Sequence, residues 1–398
     1  MTQATIQNLL AKQRSGHALE QGFYRNVDVF EMEMQRIFLK SWLYVGHKSQ
    51  VPDVGDFFVF HIAGESIIIV RSAGDQINAL VNVCRHRGSR VCLEEQGSAS
   101  RFMCPYHAWT YDLEGNLKGA PQIMDKIDVG KYSLRRVKLE KFHGMLFINF
   151  DESADFEPIV ADLDAPHAPY DIANTKVAHR QNYPIKSNWK LAVENFCECY
   201  HCIPAHPEFA VGHGGARPRE KVADLKKEVI GRAEACGLSS KMSGVSWDTS
   251  QPIGMDRYFE RYPLLKGQVT GSPDGKPVAP LLGTIKDYDG GATDTQIGPV
   301  SYGLLYCDHV VLYRFTPTAI DATDCEITWL VRDSAVEGKD YKLDDLIWMW
   351  DVTTIADKRI IQDNQRGVNS RFFVPGPFTP MEYFTQQFTE WYLDIIHG

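Results

Sequence analysis

The sequence predicts an α+β chain in which a small all-β domain is inserted into a larger domain of mixed helices and strands. Three observations carry that prediction. Helical spacing dominates the first forty residues, short β-rich runs broken by Gly, Asp and Asn turns fill 42–150, and helices alternate with strands over 151–398. A length of 398 residues suits two or three domains and a core large enough to need no disulfide staples.

Taken in order, Phe30, Met34, Ile37 and Phe38 form one apolar helical stripe, so 1–41 reads as helix belonging to the larger domain. Runs at 57–61, 66–71 and 145–149 read as strands of the 42–150 domain. Residues 188–200 are helical, with Trp189, Ala192, Val193 and Phe196 on one stripe. The Gly-, Pro- and polar-rich stretch 212–291 predicts long loops with little regular structure. Strand texture returns over 300–331, residues 343–361 are strongly helical, and a last helix over 380–396 follows the breakers Pro375, Gly376 and Pro377.

Composition removes several classes. The formal charge of −9 argues against a general nucleic-acid binder, and no apolar run approaches the roughly 18 residues of a membrane span. The first sixteen residues lack a hydrophobic signal core, so a cytoplasmic location is expected. Nine cysteines are an odd number with no framework spacing. Cys84, Cys92 and Cys104 cluster, as do Cys197, Cys199 and Cys202; apart from metal ligands, all are expected to be reduced, packed thiols.

Cys84 and His86, then Cys104 and His107, spell C-x-H followed after seventeen residues by C-x-x-H. Two thiolates and two imidazoles in tight pairs suit a soft metal. One zinc ion is one reading, although C-x-H is tighter than usual zinc spacing. The other is a [2Fe–2S] cluster with two cysteines on one iron and two histidines on the other. Further on, His201 and His206 are five apart at the end of a helix that Pro204 is expected to break. They would suit a single metal ion if a carboxylate joined them, leaving positions open for dioxygen.

The first motif, from Cys84-Arg85-His86-Arg87-Gly88 to Cys104-Pro105-Tyr106-His107-Ala108-Trp109, resembles the Rieske non-haem iron oxygenase α subunits, the ring-hydroxylating oxygenases. Asn188-Trp189-Lys190, Glu194-Asn195 and Glu198-Cys199-Tyr200-His201 through His206 resemble their catalytic segment, and Gln365-Arg366-Gly367 their C-terminal element. The resemblance implies a Rieske domain over 42–150 inserted in a catalytic domain of helices and antiparallel sheet. Its [2Fe–2S] cluster would sit on Cys84, His86, Cys104 and His107, and a mononuclear Fe(II) on His201, His206 and Asp357. Asp357 is preferred to Asp363 because the implied ligand precedes the glutamine by eight residues. Glu198, where many members carry aspartate, is implied to bridge His107 of one subunit to His201 of the next.

The same resemblance implies an enzyme that uses O2, a separate NAD(P)H-dependent reductase, a small-molecule substrate and a homotrimer. The segment around Glu198 to Glu208 is closest to the branch acting on quaternary or methylated amines. Oxidative N-demethylation is therefore expected, with Trp247, Tyr258, Tyr302, Tyr306 and Phe315 as candidate cage aromatics. Two alternatives are an aromatic-acid hydroxylase, anchored by Arg217 or Arg314, and a Rieske electron carrier without oxygenase activity. The carrier leaves roughly 250 residues after the β block unused.

Overall fold

The computed structural model describes residues 2–240, 243–245 and 256–397. The chain forms two compact units, Tyr44–Asp155 and the joined segments Met1–Leu43 and Phe156–Gly398. The first unit holds β1 (Leu43–His47), β2 (Asp56–Ile62), β3 (Glu65–Arg71), β4 (Ile77–Val81) and β5 (Gln96–Ser98). The hairpin strands β6 (Phe102–Met103), β7 (Thr110–Tyr111) and β8 (Leu117–Gly119) follow, then β9 (Arg136–Phe142) and β10 (Met145–Asn149). One seven-stranded sheet runs β1-β10-β9-β4-β3-β2-β5, and β6-β7-β8 make a second of three strands. Ile67, Ile68, Ile69 and Val70 of β3 are all fully buried, as a β-branched run covered on both faces requires. Ala63-Gly64 and His143-Gly144 turn the two tight hairpins with φ of 51° and 80°, and 48° and 83°, matching the twist of the flanking strands.

Among the described residues, the second unit contains the α-helices α1 (Thr2–Lys12), α2 (Gln21–Arg25), α3 (Val27–Glu33), α4 (Glu157–His167), α5 (Trp189–Phe196), α6 (Cys202–Ala205), α7 (Pro207–Gly212), α8 (Arg219–Ala233), α9 (Leu343–Val368) and α10 (Tyr383–His397). Its strands are β11 (Thr175–Ile185), β12 (Ser243–Val245), β13 (Arg257–Pro263), β14 (Gly291–Ile297), β15 (Ser301–Leu305), β16 (Val310–Ala319) and β17 (Ala322–Arg332). They form one antiparallel sheet in the order β11-β17-β16-β15-β14-β13-β12.

The two faces of this sheet do different work. Thr293 and Thr295 point to one face, where their hydroxyls meet Tyr170 (3.1 Å) and His167 of α4 (3.2 Å). The other face carries Tyr183, whose hydroxyl donates to Asp351 of α9 (2.6 Å), and Tyr313, whose hydroxyl bonds Thr354 of α9 (2.7 Å). Phe196 at the end of α5 stacks on Tyr302 of the same face, centroids 4.2 Å apart. Helices α5 and α9 therefore cover one side of the sheet together.

The α+β class holds, with two local departures from the sequence reading. The stretch 212–291 is loop over most of its described length, as expected, but it also contains α8 and the strands β12 and β13. Only Val222, Val229 and Ala233 of α8 are buried, a stripe too thin to stand out among its charges. The helix expected over 188–200 stops at Phe196, and a new one starts at Cys202. Pro204 lies inside that second helix's first turn, where proline is tolerated, so the break comes earlier than proline chemistry alone suggested.

Beneath α5 lies a buried charge cluster. Lys190 and Glu33 are both fully buried, with Nζ 2.5 Å from Oε1. The Tyr392 hydroxyl donates to the same oxygen (2.6 Å) and Trp189 Nε1 to the other (2.7 Å). One carboxylate thus ties α3, α5 and α10 together. Burial pushes the Lys190 ammonium down, and Glu33 works against that shift. Removing one partner of such a pair strands the other, at a cost of roughly 3–5 kcal/mol. Glu33→Ala is expected to lower the urea midpoint accordingly; an unchanged midpoint would show that Lys190 finds other company.

Candidate metal centres

Two loops of matching geometry form the first candidate site. In loop 84–89 Cys84 N donates to Ser89 O (2.8 Å) and Gly88 N to Cys84 O (3.0 Å). In loop 104–109 Cys104 N donates to Trp109 O (2.8 Å) and Ala108 N to Cys104 O (3.0 Å). Gly88 and Ala108 occupy equivalent places, with φ of 82° and 56°. Only the glycine announces this in sequence; alanine holds the same left-handed backbone at roughly 1–2 kcal/mol. Asn82 fixes the chain after the first loop, accepting from Val91 N (2.9 Å) and Cys92 N (2.8 Å) and donating to Cys92 O (2.8 Å).

Burial separates the four candidate ligands into two kinds. Cys84 and Cys104 belong to the unit's core with Phe57, Phe102, Trp109 and Tyr111. His86 and His107 are exposed, ring centroids 4.6 Å apart; Trp109 stacks on the first and Tyr106 packs against the second. A tetrahedral ion with bonds near 2.0–2.3 Å would draw four ligand atoms within about 4 Å of each other. Two buried thiols on one side and two exposed imidazoles on the other suit a larger, two-iron group, each iron taking one kind of ligand. Tyr111 Oη accepts from Arg85 N (3.0 Å), leaving its own hydrogen for Cys84 Sγ, 3.4 Å away. Cys92 is a separate buried thiol.

The second candidate site lies in the helical unit. The chain leaves α5 after Phe196, and the turn that follows presents His201 just before α6 and His206 just before α7. Asp357 of α9 joins them: its Oδ1 lies 3.0 Å from His206 Nε2 and 3.2 Å from His201 Nε2. These approaches lack hydrogen-bond angles, and His206 Nδ1, His206 Nε2 and Asp357 Oδ1 are buried with no hydrogen-bond partner. Lone pairs that converge without bonding one another are what a cation site provides.

Charge and orientation agree. Burial pushes the Asp357 carboxyl up, but the two imidazoles outweigh it and hold it below the ordinary range. Burial pushes His201 down, yet Asp357 and Glu198 raise it to about 9. The pocket favours positive charge at its centre, which a divalent ion supplies. Glu198 Oε1 holds His201 Nδ1 at 2.6 Å, and its other oxygen accepts from His201 N (3.3 Å) and Tyr200 N. That fixes the ring so that Nε2 faces Asp357.

The partners of α9 explain why Asp357 reaches this point. Gln365 Oε1 accepts from Asn188 N (2.8 Å) and Gln362 Oε1 from Lys186 N (3.0 Å), locking α9 to the residues that start α5. Asp363 instead faces solvent and pairs with Arg366.

Other sequence candidates fall as follows. Cys199 and Cys202 are not packed thiols: they form a disulfide with Cα atoms 4.9 Å apart, because the break after Phe196 folds them across one turn. The Cys202 sulfur lies within 4.8 Å of the imidazoles, but as a disulfide it is no thiolate donor. Arg314 is committed to Glu326 at 3.0 Å, and Arg217 donates to Ala216 O. Tyr302 and Phe315 pack on Phe196, the Tyr306 hydroxyl donates to His213 Nε2 (2.8 Å), and Tyr258 packs on Phe384; Trp247 lies outside the described residues. A surface cleft lined by Pro207, Glu208, Val211, Trp348 and Met349 contains none of the three converging side chains. Sequence reasoning missed Phe209, His213 and Trp350, which continue an aromatic wall outward from His206. Phe209 is 5.6 Å from His206 and stacks on His213 at 4.2 Å, and Trp350 lies 5.4 Å from Phe209. The i, i+4 spacing of Phe209 and His213 was the available signal.

Both units match known protein families. The family model for the ring hydroxylating alpha subunit (catalytic domain) matches residues 172–398, and that for the Rieske [2Fe-2S] domain matches 41–134. The glycine betaine monooxygenase oxygenase subunit of Chromohalobacter salexigens is 34% identical over 395 residues, covering 98% of this chain and 88% of that protein. The carnitine monooxygenase oxygenase subunit of Escherichia coli is 36% identical over 209 residues, 51% of this chain and 56% of that protein. A crystal structure of a quaternary ammonium Rieske monooxygenase with L-carnitine superposes with a TM-score of 0.71 at 23% identity, covering 98% of each chain, a likeness of fold.

A hydrogen bond to a cluster sulfur stabilises the reduced, more negative state. One neutral bond is worth ~1 kcal/mol, which is about 40 mV for a one-electron couple. Tyr111→Phe is accordingly expected to lower the cluster's midpoint potential by up to that amount in a spectroelectrochemical titration. An unchanged potential would mean that the phenol hydrogen points elsewhere.

Proposed function

The chain belongs to the Rieske-type ring-hydroxylating α subunits, the non-haem iron oxygenases, and on that premise we propose that it hydroxylates an N-methyl group of a quaternary or methylated amine. The relationship to glycine betaine monooxygenase oxygenase subunits over nearly the whole chain carries the substrate class. The aromatic wall of Phe209, His213 and Trp350 beside His206 supports it, since aromatic faces attract a desolvated onium ion. The commitment of Arg314 to Glu326 disfavours an aromatic acid, which would need a free cationic anchor. A bare electron carrier does not account for the catalytic domain matched over 172–398.

Cys84 and Cys104 would hold the inner iron of the [2Fe–2S] cluster, and His86 and His107 the outer one. His201, His206 and Asp357 would hold the mononuclear iron. Bound there, these groups supply one-electron transfer and dioxygen activation. The chain's own residues do the rest. Glu198 keeps a proton on His201 Nδ1 and directs Nε2 inward; the buried side of His206 excludes water; the aromatic wall orients the cation so that one methyl group faces the metal. In the overall reaction one N–CH3 becomes N–CH2OH, with O2 supplying that oxygen and two electrons and two protons carrying the other away as water. The N–CH2OH group then loses formaldehyde and a proton, and the nitrogen keeps the electron pair.

An oxygenase subunit takes its electrons from a separate reductase, here NAD(P)H-dependent. A homotrimer is part of the same proposal. His86 and His107 are exposed, with the exposed apolar Leu93, Met103 and Tyr106 near them in sequence, and exposed Tyr200, Ile203 and Ile355 flank the ligands of the other centre in sequence. Two apolar rims suit head-to-tail docking of neighbouring subunits. Glu198 would then bridge His107 of one subunit to His201 of the next. No helix among the described residues is long and apolar enough to cross a membrane.

Turnover with a compatible reductase, scored for formaldehyde and for ring hydroxylation, tests the reaction. Glycine betaine or L-carnitine is expected to yield one formaldehyde per demethylated product. Ring-hydroxylated product from benzoate with none from either amine would overturn the substrate class. Glu198→Ala is expected to leave cluster reduction intact while slowing product formation at least tenfold, the usual scale for a group that orients a metal ligand. Normal turnover in that variant would remove Glu198 from the electron path.

A further inference from the structure

Asp294 of β14 lies on the same face of the sheet that α5 and α9 cover over other strands. It pairs in register with Glu260 of β13 and Leu304 of β15, and so shares a face with Tyr302, two residues from Leu304. Its neighbours Thr293 and Thr295 point to the opposite face, toward Tyr170 and His167. The same face carries Tyr262, and Tyr306 beyond it meets the His213 end of the aromatic wall. The negative charge of Asp294 acts on both of these phenols.

The carboxylate is unmatched. Among the described residues Asp294 makes no hydrogen bond and no ion pair, although it is largely covered. Its cross-strand partner Glu260 is already served by Lys226 of α8, with Arg219 nearby. Two carboxylates placed directly opposite repel, and only one has a counter-ion. Leaving a covered carboxylate unpaired is costly unless something cationic arrives.

We propose that Asp294 is the counter-ion of the substrate's onium nitrogen, and that it selects cationic over neutral substrates at the His213 end of the aromatic wall. The proposal rests on the amine reading given above and adds a residue to it. The aromatic faces recognise a methylated head by shape and polarisability, which a neutral tert-butyl group partly satisfies. A carboxylate distinguishes the two by a full charge. Burial and the like charge of Glu260 also push Asp294 up to about 8, so an arriving cation draws the proton off. The charged group facing it is Glu260 of β13, itself paired with Lys226 of α8, and the phenols within reach of its charge are Tyr262 and Tyr306. The tyrosines are pushed upward and do not titrate near neutrality.

The test pairs choline with its carbon isostere 3,3-dimethylbutan-1-ol, glycine betaine with 3,3-dimethylbutanoate, and wild type with Asp294→Asn in the cluster-loaded protein. Binding is measured by calorimetry from pH 6 to 9. Wild type is expected to prefer each cation over its isostere at least tenfold and to bind it more tightly as pH rises through about 8. Asp294→Asn is expected to lose most of that preference and the pH dependence while keeping its affinity for the isosteres. Glu260→Gln should retain the preference. Undiminished preference for the cation in Asp294→Asn, with visible and circular-dichroism spectra unchanged, overturns the assignment alone. Failure of wild type to prefer either cation overturns the amine reading and the assignment with it.

Discussion

Two glutamine side chains decide where Asp357 can stand. Gln362 and Gln365 accept from the backbone at Lys186 and Asn188, so the 26-residue α9 cannot slide or rotate against the start of α5. A helix advances about 1.5 Å per residue, and one residue of slippage would swing a side chain by about 100°. Tyr183 and Tyr313 hold the same helix to the sheet through Asp351 and Thr354. Pinned above and below, Asp357 has one position, and that position is against His201 and His206. The buried Lys190–Glu33 pair does the corresponding work for α5 from beneath.

The two centres solve opposite problems with the same means. At the first pair of loops, the cysteines sit inside the core and the histidines outside, so a group held by all four would face solvent through imidazole. At the second centre, His206 Nε2 and Asp357 Oδ1 are buried without hydrogen-bond partners, and the Asn195 amide approaches His201 Nε2 at 3.4 Å. A redox group that must give up an electron needs an accessible edge; a metal that must manage dioxygen needs a sheltered one. Burial, more than ligand chemistry, separates the roles.

Much of this was legible in the chain. The paired C-x-H and C-x-x-H, His201 and His206 with the neighbouring Glu198, and the Gln365-Arg366-Gly367 element are local in sequence, and local patterns survive without a fold. Other features left little trace. Helix α8 hid behind its charges because burying three residues is enough when tertiary packing supplies the rest. The Cys199–Cys202 bridge depended on a helix break that Pro204 did not mark. Asp294 looks like any strand aspartate until the register sets it opposite Glu260 with only one of the two neutralised.

The sequence by itself determined the chemical inventory: two thiolates and two imidazoles in tight pairs, a histidine pair after a helix, and an α+β plan with a β insertion. It did so because ligand spacing and apolar periodicity are set by the backbone within a few residues. Only the tertiary structure decided that the first set is split between core and surface as a two-iron group needs, and that one aspartate from more than 150 residues away completes the second. The reason is geometric: strand register and helix rotation are set by contacts between distant segments, and those contacts choose which of many equivalent side chains meet.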